Sequence, residues 1–143
     1  MELKNYLYIG AAIFALDQAI KLLMRNLLDN GRELQIIGDF FKLRLTHNTG
    51  AAFSILTGNN LLLIFVSFFV IGLIVYYMYK SEDERLPLSL VLGGAIGNLI
   101  DRIFLGSVVD FIDISIWPVF NVADMAITAG IALIILDLIK KKK

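Results

Sequence analysis

Apolar residues in this chain fall in long runs rather than at the spacing of a soluble amphipathic fold. Residues 61–79 (LLLIFVSFFVIGLIVYYMY) carry no charge over 19 positions. Roughly 20 apolar residues cross the hydrocarbon core of a bilayer as a helix. Residues 86–105 and 121–139 form runs of similar length, with polar residues near their ends. A fourth run, residues 6–23, is interrupted by Asp17 and Lys21. The pattern predicts four transmembrane helices in a single integral membrane domain over residues 1–143. The first run is expected to stay as an anchor, because Glu2 accompanies Lys4 before it and no small-residue cleavage pattern follows it.

Between the runs the period changes. The stretch FKLRLTH (41–47) alternates apolar and polar residues, as does FIDISIW (111–117), and a period of two predicts strands. These pieces lie in two longer loops, about 25–60 and 106–118, and together suggest a small platform beside the helix ends. Unpaired strands are untenable in lipid, so the platform belongs in the interface or under protein. Trp117 and Pro118 end the second strand at the membrane boundary, where Trp is common. The last helix then starts at Val119 or Asn121, with Asp124 about one turn inside it. Asp110 is expected just beyond the third helix. The fold class expected is mainly α: a four-transmembrane-helix protein with a small extracytoplasmic β platform.

Composition supports a membrane protein, with 58% hydrophobic residues and a mean hydropathy of +0.77. Charge sets the orientation. Lys4, Lys80, Arg85 and the four lysines at 140–143 flank one side, against Arg25, Arg32, Lys42 and Arg44 on the other. The excess predicts cytoplasmic termini, both longer loops outside, and a short cytoplasmic turn at KSEDER (80–85). The lysine tail also favours anionic membrane lipids. Net charge is zero, without the basic patch that nucleic-acid binding needs. With no Cys and one His, a structural zinc site is excluded and a catalytic one lacks ligands. No metal or cofactor is expected. No internal repeat is present, and the chain is short for a transporter of duplicated halves.

Two acids stand out. Asp110 and Asp124 flank the segment that joins the second outer loop to the last apolar run, and carboxylates kept near hydrocarbon mark functional sites. If their carboxyls meet, repulsion and desolvation keep one protonated while the other is ionised. The ionised one can take a proton from water, and the neutral one can donate to a carbonyl and then to a leaving amine. The alternative is two separate helix-end aspartates, with Asp124 facing the positive end of a helix dipole. Asp17 and Lys21, four apart on one helix face, either neutralise each other or line the same outer cavity. In GGAIGNLIDR (93–102), Gly93 and Gly97 make a close-packing surface, with Ala126 and Gly130 similar on the last helix. Asn98, Asp101 and Arg102 cluster near the outer end, where Arg102 could clamp a substrate carbonyl or hold Asp101. In HNTGAAF (47–53), Asn48 and Gly50 suit a turn between the platform and the second helix. His47 receives no role. Asp29, Asp39 and Asp113 read as solvated charges, and Asp137 as a partner of the lysine tail.

The segments DQAIK (17–21), NTGAAF (48–53), GGAIGNLIDR (93–102), VVDFID (108–113) and FNVAD (120–124) occur in this order on a four-helix membrane chain. The sequence thereby resembles the bacterial lipoprotein signal peptidases, or signal peptidase II, over nearly its whole length. The resemblance implies an aspartic endopeptidase of the bacterial cytoplasmic membrane that cleaves a prolipoprotein before a diacylglyceryl-modified cysteine. Its catalytic aspartates fall on Asp110 and Asp124. Its other polar positions fall on Asp17, Lys21, Asn48, Asn98, Asp101, Arg102 and Asn121. Of these, Asn48, Asn98, Arg102 and Asn121 suit substrate positioning, with Asp17, Lys21, Gly50 and Asp101 in support. The implied partners are diacylglyceryl-modified prolipoprotein signal peptides and membrane lipids. The outer strands would be the family's extracytoplasmic cradle, and any lid between Asp110 and Asp124 must be small. Two other readings compete with it: a small proton- or cation-coupled transporter, and a non-catalytic membrane assembly subunit packed through Gly93 and Gly97.

Overall fold

The structure is a computed structural model that describes residues 2–28, 31–50 and 58–142. Asp29 and the AAF part of the NTGAAF motif lie outside the described residues. Four long helices and three strands follow in the order α1 (Leu3–Leu27), β1 (Glu33–Ile37), β2 (Phe41–Asn48), α2 (Asn60–Lys80), α3 (Arg85–Leu105), β3 (Val108–Ile114) and α4 (Val122–Lys141). All four helices are long and apolar enough to cross a membrane. Their bounds match the predicted spans to within a few residues. The largest difference is α1, which extends by about one turn at each end.

Helix α3 is the centre of the bundle and packs against α1, α2 and α4. Its glycines make this possible. A Cβ on Gly93 would run into the backbone carbonyl of Gly10 and the Ile13 side chain on α1. A Cβ on Gly97 would lie 2.5 Å from Asp17 Oδ2, and one on Gly94 would overlap the Ala123 carbonyl on α4. Gly130 on α4 closes the other end, against Pro87 and Val91 of α3. Small residues bring helix backbones close where lipid gives no hydrophobic drive to associate. Helix α2 joins through an apolar cluster of Ile74, Met78, Leu88 and Leu92. Outward faces stay apolar, with Phe65, Phe69 and Tyr79 exposed, as lipid contact requires.

The strands form one antiparallel sheet in the order β1–β2–β3. The pairs include Glu33 with Arg44 and, across the second ladder, Thr46 with Asp110 and Asn48 with Val108. The alternation in residues 41–47 therefore marks a real strand. The second strand lies three residues earlier than the predicted 111–117. Residues 108–111 are buried on both faces, so that part shows no alternation to read. The strand ends at Ile114 because the Ser115 hydroxyl bonds the Asp39 carbonyl and Trp117 N–H turns back to Ile114 O. Strand β1, not foreseen, is an exposed edge reached through a turn at Gly38, whose φ of +48° suits glycine.

Asp113 corrects the expectation of a solvated charge. It is 6% exposed, with Arg44 Nε at 2.5 Å and Lys42 Nζ at 4.0 Å. Register causes this, because Lys42 is its cross-strand partner. Asp39 is exposed, and Asp137 pairs with Lys141 at 2.8 Å, both as expected.

Candidate active site

The sheet packs at one end of the bundle and delivers polar residues to a single cavity. Asp110 is the third residue of β3. Asp124 is the third residue of α4, whose N-cap is Asn121. The Asn121 side chain accepts from Asp124 N–H at 2.9 Å, while Asp124 Oδ2 accepts from Asn121 N–H at 3.3 Å. This reciprocal box satisfies helix-end donors and fixes the Asp124 side chain against the start of its own helix. An isolated bridge between Ile112 and Phe120 folds the connection back, so that Asn121 returns beside β3.

Asp110 and Asp124 line the same cavity of about 250 Å³, together with Asn48, Asn98, Arg102 and Trp117. Every oxygen of the two carboxyls has a donor. Asp110 Oδ1 receives Asn121 Nδ2 at 2.7 Å, and its Oδ2 receives Asn48 Nδ2 at 3.1 Å. Asp124 Oδ1 receives Asn98 Nδ2 at 2.8 Å. Asn121 and Asn98 also bond each other at 3.1 Å, so the two acids share one amide network. Burial pushes the Asp110 carboxyl from its ordinary 3.8 up to about 7, and the charge of Asp124 adds to this. The hydrogen bonds from Asn48 and Asn121 and the charge of Lys21 act in the other direction.

Arg102 lines the same cavity. Its guanidinium donates to Gly50 O at 3.0 Å and, more weakly, to Asn98 O at 3.4 Å. Among the described residues its buried Nε has no partner. It does not hold Asp101, which removes one of its two expected roles. Asn60 Nδ2 donates to Arg102 O at 3.0 Å and covers the end of α3. Asn48 Oδ1 accepts Gly50 N–H at 3.0 Å, a turn in which Asn48 keeps its amide nitrogen for Asp110. His47 is exposed and sits 3.3 Å from Ser107 Oγ, away from the acids.

Asp17, Lys21 and Asp101 are absent from the cavity wall and lie in the protein interior. Lys21 Nζ is 2.8 Å from both Asp17 Oδ2 and Asp101 Oδ2. Asp17 Oδ1 accepts Ala123 N–H at 2.9 Å, so α1 holds the N-terminus of α4. Asp101 Oδ2 accepts Val109 N–H at 3.0 Å, so α3 holds β3 beside Asp110. Thus the first alternative for Asp17 and Lys21, mutual neutralisation, is realised, and the pair also ties the elements bearing the two candidate acids. Gln18 is a member of this cluster that sequence reasoning missed. It bonds Asp17 at 3.2 Å, Asp101 at 3.0 Å and Gly97 O at 3.3 Å. The signal was its position: an amide between Asp17 and Lys21 inside an apolar run.

A second, wider and largely apolar groove of about 600 Å³ adjoins the first. It runs along α4 past Met125, Thr128, Ala129 and Ala132, and shares Trp117, Phe120 and Asp124 with the polar cavity. Sequence patterning did not anticipate it, since lipid-facing and groove-lining apolar residues look alike. Among the described residues no group of three Asp, Glu, His or Cys side chains is placed to hold a metal.

Known proteins resemble this chain in sequence and in fold. The family model for signal peptidase (SPase) II, Peptidase_A8, matches residues 9–140. The lipoprotein signal peptidase of Halothermothrix orenii is 43% identical over 134 residues, 92% of either chain. That of Moorella thermoacetica is 43% identical over 133 residues, covering 90% of this chain and 89% of its own. A solved bacterial membrane enzyme superimposes with a TM-score of 0.90 at 31% identity, covering 98% of this chain and 90% of that one. A second such enzyme gives 0.85 at 32% identity, over 96% and 94%. With sequence and fold matching over nearly the whole length, this multi-pass membrane protein belongs to the signal peptidase II family.

Proposed function

We propose that this protein is the aspartic endopeptidase that removes signal peptides from prolipoproteins, with Asp110 and Asp124 as its catalytic pair. The observation that carries the reading is one cavity walled by both carboxyls, in which one acid is held near pKa 7. At neutral pH such a pair retains one proton. The ionised carboxyl takes a proton from water as the water attacks the scissile carbonyl, and the protonated one donates to the developing oxyanion. The proton then passes to the leaving amine. Arg102 lines the cavity beside the acids, and its buried Nε, unpartnered among the described residues, suits a substrate carbonyl. Asn48, Asn98 and Asn121 hold the carboxyls and leave the water to move.

The substrate is a prolipoprotein cut before a diacylglyceryl-modified cysteine. The neighbouring apolar groove supports this, because it reaches Asp124 from the lipid-facing side of α4. About 0.8 kcal/mol per buried methylene keeps an acylated cysteine at the membrane. An enzyme whose acids sit at that depth gains proximity without a deep specificity pocket. The charge asymmetry of the loops supports cytoplasmic termini and an active site at the outer face, with the sheet as its platform. A transporter would hold its acids near the bilayer midplane. Here the polar residues gather at the end that carries the sheet.

The test is turnover of a diacylated prolipoprotein by Asp110→Asn and Asp124→Asn. Each is expected to lower kcat by about 10³-fold or more while substrate still binds. Near-parental turnover by either variant would remove the pair from the mechanism.

A further inference from the structure

The amides that touch the two acids have their orientations set from below. Lys21 is a donor only. Its Nζ lies 3.1 Å from Asn98 Oδ1, so that oxygen must face α1. The Nδ2 group then points at Asp124 Oδ1, 2.8 Å away. Asn121 is fixed independently, since its Oδ1 accepts Asp124 N–H. Its Nδ2 therefore faces Asp110 Oδ1, Asn98 Oδ1 and Val109 O. A continuous path runs from Lys21 through Asn98 to Asp124, and through the shared Asn98 oxygen to Asn121 and Asp110.

The ammonium has no freedom of its own. Lys21 is 2% exposed and its three hydrogens meet three acceptors: Asp17 Oδ2, Asp101 Oδ2 and Asn98 Oδ1. Neutralising Asp17 on the same helix would need only the first of these. The third contact aims the lysine at the amide of the candidate active site. Lys21 itself is absent from the wall of the polar cavity, so it does not touch substrate there.

We infer that Lys21 is a positioning residue for the peptidase reaction: acting through Asn98, it locks the amide that donates to Asp124 and biases the proton shared by the two acids. The inference rests on the reading of Asp110 and Asp124 as the catalytic pair. The charged groups around the pair are Asp17 and Lys21 on α1, Asp101 and Arg102 on α3, Asp110 on β3 and Asp124 on α4, while on β2, packed against β3, the titratable His47 is exposed beside Ser107. Among them Lys21 acts on Asp110 by favouring its ionised form. Without that charge, Asp110 keeps its proton to higher pH.

The experiment compares the parent with Lys21→Met and with Lys21→Met/Asp17→Asn. In the double variant the lost ammonium is matched by a lost carboxylate, and the side-chain amide oxygen introduced at position 17 can still accept Ala123 N–H. Cleavage of a diacylated prolipoprotein is followed across pH, with thermal unfolding as the check on folding. Both variants are expected to lose about ten- to a hundredfold in kcat with KM within about threefold of the parent. The alkaline limb of kcat in Lys21→Met, where Asp110 gives up the pair's proton, is expected to move up by about half a pH unit or more. The inference fails if a folded variant keeps parental kcat. It also fails if activity falls with the pH limb unmoved, or if neither variant folds, since Lys21 would then be a structural tie alone. Absence of cleavage by the parent would instead overturn the peptidase reading.

Discussion

Asp110 is 2% exposed in β3, and its carboxyl is pushed up to about 7 by burial and by Asp124. The folded protein therefore holds this proton more tightly than the unfolded chain, where the ordinary value is 3.8. Its contribution to stability is whole below about pH 4 and is lost as pH rises through 7. Asp110→Asn removes the buried charge but keeps an acceptor for Asn121. We expect its unfolding temperature to rise relative to the parent between pH 5 and pH 8, by the equivalent of about 2 kcal/mol. An offset constant across that range would show that Asp110 ionises as freely in the fold as in the open chain. The kcat of the parent should fall on the alkaline side, as the pair gives up its one proton near pH 7. The two acids were legible in the sequence as carboxylates next to an apolar run. Their hydrogen-bond partners were legible only as types, because which of Asn98, Asn121 and Lys21 meets which oxygen depends on helix rotation.

At the scale of elements, α3 does most of the positioning. Gly93 packs on Gly10 and Ile13 of α1, and Gly94 on Ala123 of α4. Gly93→Ala should lower stability by about 1–3 kcal/mol, the usual penalty of overpacking. A Cβ added at Gly72 in α2 would meet nothing within 4 Å, so Gly72→Ala should be neutral or gain about 0.5–1 kcal/mol. Thermal unfolding in one detergent compares both, and equal effects would deny close packing at Gly93. The helices were readable because lipid demands uninterrupted apolar length. The sheet was readable only in part. Strand β2 shows its period, β3 hides it beneath protein on both faces, and β1 is an exposed edge with no buried side to create a pattern. Asp113 was misread for a related reason: the Lys42 and Arg44 side chains that cover it belong to a partner strand.

For the whole molecule, the proposal places the sheet and both acids at the outer membrane face. The chain has no cysteine, so single cysteines report topology cleanly. Ser115→Cys, at an exposed turn beyond β3, should react with an impermeant maleimide on intact cells. Glu82→Cys, in the turn between α2 and α3, should react only after permeabilisation. The opposite pattern would reverse the orientation. Nothing in the apolar runs specified that the groove along α4 would open onto Asp124. That follows from the return of the chain at Phe120 and from small residues at Ala129 and Ala132. In the proposed function that groove and the acids serve one task, which is cleavage of a lipid-held peptide by a pair of carboxyls. The most direct measurement incubates the purified enzyme with one prolipoprotein in unmodified and diacylated forms, with and without chelator, and reads the new N-terminus by mass spectrometry. Cleavage of the diacylated form alone is expected, before its modified cysteine and unchanged by chelator. Chelator-sensitive cleavage, equal cleavage of the unmodified form, or no cleavage would contradict the proposed function.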